Sequence, residues 1–284
     1  MGKLLDKLRQ ISQVSGTGIG FLGARQAAQK PRPAAIFVTL SSSDAAAAEA
    51  VSKAGADGVI VTDWRSGADA ARLKASLGDG VSAPVWGVEI TGASASAAEA
   101  LKEARDAGVA FVVIGQSVPA SALLAARKLD GLDIVIGFEP PADDLGLVLI
   151  RAENLLPATA ALLRTSFSAA DLSTMSVSGF ARMRLLFESL RFPVLAPVAE
   201  PPDESQVQLL VRLGAHGIVL PGMDVDGAAL ASQVRSLKEA LEQTPANDDD
   251  RPGVAIGGLM ETRPAVGPEP GRQPGEPPHE PGEE

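Results

Sequence analysis

Three times in this chain a helical stretch ends at a glycine, a short apolar run follows, and a polar cluster closes the run. The clearest copy reads Gly55-Ala-Asp-Gly-Val-Ile-Val-Thr-Asp-Trp-Arg65, and variants lie at 107–116 and 213–223. Glycine ends a helix by taking the left-handed conformation that other residues avoid. An apolar run without alternation is what a parallel strand needs when helices cover it from outside. Parallel neighbours cannot be joined by a tight hairpin, so each return must cross over through a helix. This one unit therefore commits the chain to a parallel sheet wrapped in helices.

The alternation runs from Ala34 to Gln243. Val/Ile/Leu-rich segments predict strands at 35–40, 58–62, 84–90, 110–115, 133–139, 146–151, 193–198 and 217–221. Ala-rich helical stretches separate them at 43–54, 66–77, 93–107, 118–129, 175–190, 203–213 and 226–243. Eight such strands with helices between them predict a (β/α)8 barrel, with a doubly wound open sheet as the alternative. The tightest point is Pro140 to Asp144, which leaves no room for a crossover helix between the fifth and sixth strands. Five extended residues span roughly 17 Å, just enough to retrace a strand. The following stretch, 152–192, is long for one helix and predicts an extra helix-loop excursion.

The flanks differ from this body. Residues 1–33 predict an amphipathic helix, with Leu4, Leu5, Leu8 and Ile11 on one face, followed by a Gly-rich connector. The helix is read as a lid on the protein's own core, with a membrane-surface or partner helix as the sharper alternative. Gly18, Gly20 and Gly23 satisfy G-x-G-x-x-G, but a helix precedes them where a dinucleotide site needs a strand. Residues 244–284 hold nine prolines, seven glycines, nine acidic and three basic residues, which predicts a disordered tail. Its apolar island, Val254 to Met260, is expected to dock on the barrel or to serve a protein partner.

The net charge of −10, the absence of Tyr and the scatter of basic residues argue against nucleic-acid binding. With no cysteine there is no disulfide, zinc-thiolate site or thiol nucleophile. No apolar run approaches the roughly 20 residues of a membrane span, and the N-terminus does not read as a signal peptide, so a cytoplasmic location is expected.

Chemistry in such a barrel belongs at the C-terminal ends of the strands. On the third strand Glu89 shares a face with Val85 and Gly87, and on the fifth Glu139 shares one with Val135 and Gly137. The bulkier opposite faces suit the helix layer, which turns both carboxylates inward above two glycines expected to lie in one layer. Asp63, on the face of Val59 and Val61, is expected to complete an acidic rim as a third catalytic carboxylate. Two such charges about 5 Å apart repel by about 3 kcal/mol at an effective dielectric near 20. That is enough to hold a proton or recruit a cation, so an acid/base pair or a divalent metal on Glu89 and Glu139 both fit. Arg65, Arg151 and Gln116 are the candidate ligand-binding residues; the two arginines serve equally well as structural partners that neutralise the rim.

Other chemistries find no support. His216 precedes the eighth strand, at the wrong end, and the lysines lie on helices or near their ends. The loops after the seventh and eighth strands, Ala199 to Glu204 and Gly222 to Gly227, are acidic and repel phosphate. The units Gly55 to Val61 and Gly214 to Leu220 resemble the helix-Gly-Ala-x-Gly-strand phrase of aldolase-type (β/α)8, or TIM, barrels. That resemblance implies the fold and carries no catalytic motif to these positions. The sequence thus points to a small-molecule-binding barrel with a carboxylate-rich mouth, acting as a metal- or carboxylate-assisted lyase or isomerase. The alternative is a catalytically silent barrel serving as an interaction scaffold through its tail or N-terminal helix.

Overall fold

The computed structural model describes residues 2–12, 32–64, 67–78, 80, 83–90, 97–140, 150 and 154–245. Eight parallel strands close in sequence order into a barrel: β1 (Ala35–Leu40), β2 (Gly58–Val61), β3 (Val85–Ile90), β4 (Phe111–Gly115), β5 (Asp133–Phe138), β6 (Ala160–Leu163), β7 (Val194–Pro197) and β8 (Ala215–Pro221). The helices among the described residues are α1 (Lys3–Ser12), α2 (Ala45–Ala54), α3 (Gly67–Leu77), α4 (Ala97–Asp106), α5 (Ala120–Ala126), α6 (Ala169–Ser173), α7 (Val177–Ser189), α8 (Glu204–Leu213) and α9 (Gly227–Gln243). The chain is an aldolase-type (β/α)8 barrel, and the open-sheet alternative falls because β1 pairs with β8.

The glycine of the repeated unit acts as expected: Gly55 and Gly214 close α2 and α8 at φ of 94° and 102°. Asp57, two residues on, ties the unit to its neighbours. Its buried carboxylate accepts from Ile36 N and from Arg32 Nη2, each at 2.8 Å. The strands bury both faces. Val38, Val59, Val61, Trp86 and Val88 join the helix layer, while Phe37, Ile60, Phe111, Val135 and Leu195 fill the interior. Phe37 and Phe111 meet edge to face there, with ring centroids 6.2 Å apart. Glycines on neighbouring strands make room for the rings: a Cβ on Gly87 would sit 2.5 Å from Phe111 Cζ, and one on Gly58 would overlap Phe37.

α1 plugs the N-terminal end of the barrel. Leu4, Leu8 and Ile11 belong to the interior cluster, and Leu4 N donates to Asp133 Oδ2 at 2.9 Å. Leu4, Leu8 and Ile11 are thus buried against the protein's own barrel.

One strand differs from expectation. The sixth is Ala160–Leu163, paired to β5 through Val135↔Ala160, and not 146–151. Of that predicted segment only Ile150 is described, and it is helical and buried. The β5–β6 connection is therefore long enough for a crossover, and the tight return at Pro140 to Asp144 is not needed. The expected excursion within 152–192 contains β6 itself, followed by α6 and α7. No helix among the described residues is long and apolar enough to cross a membrane. Apart from Thr244 and Pro245, the predicted tail, with its apolar island, lies outside the described residues, as does the Gly-rich connector at 13–31.

Candidate functional site

The C-terminal ends of the strands carry one charged pair that reaches across the mouth. Arg164 follows β6 directly, and its Nη1 donates to Glu89 Oε1 on β3, three strands away across β4 and β5. Glycines open that path. A Cβ on Gly137 of β5 would lie 2.7 Å from Arg164 Cζ, and one on Gly115 of β4 would lie 3.3 Å from Arg164 Nη2. The guanidinium therefore rests on the backbone of β5 and β4, as Phe111 rests on Gly87 lower in the barrel. The Glu89 and Arg164 side chains are 12% and 25% exposed, so the pair is half-shielded but reachable from solvent. Glu89 is the sole partner of the Arg164 side chain among the described residues, which leaves the rest of its five N–H donors uncommitted to any of them.

Each residue singled out from the sequence can now be placed. Glu89 points inward, with Gly87 on the interior side and Trp86 and Val88 on the helix side. Glu139 follows β5 immediately and is exposed. The two glycines do not share a layer. Gly87 is in register with Phe111 and, through it, Asp133, four residues before Gly137. With the barrel's stagger of about one residue per strand, Glu89, not Gly87, is level with Gly137. The expected space is thus filled twice, by Phe111 over Gly87 and by Arg164 over Gly137.

Asp63 does not complete the inner rim. Ile60 is the inward residue of β2, so Val59, Val61 and, by parity, Asp63 belong to the other side. Its carboxylate binds the β1–α2 loop instead, accepting from Ser41 Oγ at 2.8 Å and from Ser42 N at 2.5 Å. Partial burial would raise the Asp63 carboxyl, but these hydrogen bonds outweigh it and hold the group below its ordinary value. Gln116 lies just beyond β4 and is exposed. Arg65 and Arg151 lie outside the described residues. His216 sits at the start of β8, the end remote from the mouth, where Nδ1 accepts from Val194 N at 3.3 Å.

The helix starts around the last three loops are closed by the chain's own side chains. Ser168 and Asp171 form a capping box on α6, and Ala169 N also donates to Glu200 Oε1 at 2.6 Å. Asp203 and Gln206 form a capping box on α8, and Asp226 accepts from Ala228 N and Ala229 N of α9. Hydrogen bonding from Ser168 lowers the Asp171 carboxyl, and the Gln206 amide, helped by Ser205, lowers that of Asp203. The loop after β8 also holds the one positive-φ non-glycine residue described, Asp224 at 63°. Among the described residues no three carboxylate or imidazole groups converge to hold a metal. Glu89, one of the two expected metal ligands, is paired with the Arg164 guanidinium.

Arg164 is the residue that sequence reasoning missed, because it depends on where β6 ends. The available signal was the Ser168-x-x-Asp171 cap, which announces a helix and so places a strand end just before it.

No protein-family model matches this chain, and no curated protein matches its sequence. Solved structures do match its fold. Thiamine phosphate pyrophosphorylase from Pyrococcus furiosus aligns with a TM-score of 0.55 at 13% identity, covering 75% of this chain and 98% of that one. N-(5'-phosphoribosyl)anthranilate isomerase from the same organism aligns with a TM-score of 0.52 at 15% identity, covering 72% and 99%. The chain is similar to these barrels in fold.

Proposed function

We propose that the C-terminal mouth of this barrel binds a small anionic molecule, with Arg164 as the grip and Glu89 as the neighbouring acid/base group. The reaction class this supports is a carboxylate-assisted lyase or isomerase, in which Glu89 moves a proton on a ligand that Arg164 holds. The observation that carries the reading is the Arg164–Glu89 pair, partly exposed at the mouth with most guanidinium donors unused among the described residues. A carboxylate beside a fixed cation is the minimum for abstracting a proton from an anion and stabilising the charge that develops. Glu139, exposed just after β5, is a second carboxylate available for returning the proton.

Thermal unfolding with a panel of small carboxylates and phosphate esters tests this reading on the parent protein and on Arg164→Gln and Glu89→Gln. A ligand present at about a hundred times its Kd stabilises by about 2.7 kcal/mol, or about 5–10 °C in a barrel of this size. The reading expects such a shift in the parent, its loss in Arg164→Gln, and loss of turnover with retained binding in Glu89→Gln. A parent protein that responds to none of the panel, or a shift that persists in Arg164→Gln, overturns it.

The scaffold alternative draws on a different surface. Val177 and Leu185 of α7 are 88% and 50% exposed, and Leu124 of α5 is 58% exposed. Capture of a partner that is lost on replacing these residues, with no small-molecule response, favours that reading.

A further inference from the structure

The kind of anion can be narrowed from charge and from what closes the loops. We infer that the mouth selects a small carboxylate and rejects a phosphate monoester; this rests on the proposed binding role of Arg164. Among the described residues of the strand-to-helix connections, Arg164 is the one cation, set among Asp63, Glu139, Glu200, Asp203 and Asp226. A barrel that holds phosphate commonly does so on amides after its last two strands and at a helix N-terminus. Here those amides are taken. Asp203 accepts from Gln206 N at 2.9 Å, and Asp226 accepts from Ala228 N at 3.0 Å. Each cap puts a negative charge where a phosphate would have to sit. A dianion arriving there meets two like charges, with Gln206 N, Ala228 N and Ala229 N already bonded.

A carboxylate asks for less. It carries one charge, is planar, and matches a guanidinium edge with two parallel hydrogen bonds. Arg164 has such capacity, since its side chain spends Nη1 on Glu89 and bonds no other described residue. Its guanidinium is seated against Gly137 and Gly115 at the mouth. The two barrels similar in fold are named for phosphate-bearing molecules.

Isothermal titration of the full chain with glycolate and with inorganic phosphate tests this. The variants are Arg164→Gln and the double Asp203→Asn/Asp226→Asn, in which asparagine keeps the caps and removes their charge. The expected result is glycolate binding about ten-fold tighter than phosphate in the parent, the two unneutralised charges setting the difference. Arg164→Gln abolishes glycolate binding. The double variant gains phosphate affinity by about five-fold or more while its glycolate affinity holds, because only the phosphate meets those charges. Phosphate that binds the parent as tightly as glycolate, and needs Arg164 to do so, overturns the selectivity and leaves the site standing. Failure of both anions to bind removes the site itself. Unchanged phosphate affinity in the double variant overturns the role given to the caps.

Discussion

Gly137→Ala separates the site from the fold. The added Cβ would fall 2.6 Å from Arg164 Nη2 and 2.7 Å from Cζ, so the guanidinium must leave its seat and with it Glu89. Nothing in the backbone needs to move, because the obstructing atoms are the end of a flexible side chain. The cost is that of stranding Glu89, whose side chain is 12% exposed. Exposed pairs are worth about 0–1 kcal/mol, and breaking a fully buried one costs about 3–5 kcal/mol, so about 2 kcal/mol applies here. Replacing a glycine returns about 0.4–1 kcal/mol through the unfolded chain, leaving a net loss near 1 kcal/mol. Gly87→Ala is the control with the opposite outcome. There the Cβ meets the Phe111 ring, which is fully buried and packed on Phe37, so overpacking costs about 3 kcal/mol. Urea denaturation gives both values, and a ligand-response melt on the same samples reads the site. The account expects Gly137→Ala to lose ligand response at small stability cost, and Gly87→Ala to lose stability while keeping the response near its parent value. Equal destabilisation by the two, or a parent-like ligand response in Gly137→Ala, refutes the reasoning.

Three further outcomes follow from the N-terminal end and the caps. Asp57→Ala leaves Arg32 buried without its partner and is expected to cost about 3–5 kcal/mol in urea denaturation. Asp133 is raised above its ordinary 3.8 by burial, against hydrogen bonds from Leu4 N and Thr159 Oγ1. Because the folded state holds that proton more tightly than the unfolded chain, this group's contribution falls as pH rises from 3.8 through the raised value. Asp133→Asn is therefore expected to gain on the parent across that window, and stability curves taken at a series of pH values would show no difference if the carboxylate were unstrained. Asp226→Ala removes the α9 cap and is expected to cost about 0.5–2 kcal/mol, measured as a fall in melting temperature that Asp226→Asn does not share.

The fold was legible because the helix-Gly-strand unit repeats, and each copy constrains the next. The sixth strand was not, for a physical reason. Ala160-Ala-Leu-Leu163 has no β-branched residue and reads as helix, while the apolar run before Ile150 has the composition of a strand. What makes 160–163 a strand is the gap between β5 and β7, a tertiary fact. The inward turn of Glu89 was readable because Gly87 and Trp86 differ so much in size. The orientation of Asp63 was not, since Val59-Ile-Val61 is apolar on both faces, and the deciding contact is Phe37 lying over Gly58. Arg164 inherits the error at β6: a residue can be assigned to the mouth only once its strand is known.

The most direct test of the site is amide and arginine Nε chemical-shift mapping on the labelled protein, titrated in turn with glycolate and inorganic phosphate. The account predicts saturable shifts at Glu89, Gly115, Gly137 and Arg164 with glycolate, with phosphate much weaker at the same positions. Shifts gathered at the other end of the barrel, around Leu4, Asp57 and Asp133, or no saturable shift with either anion, would contradict it.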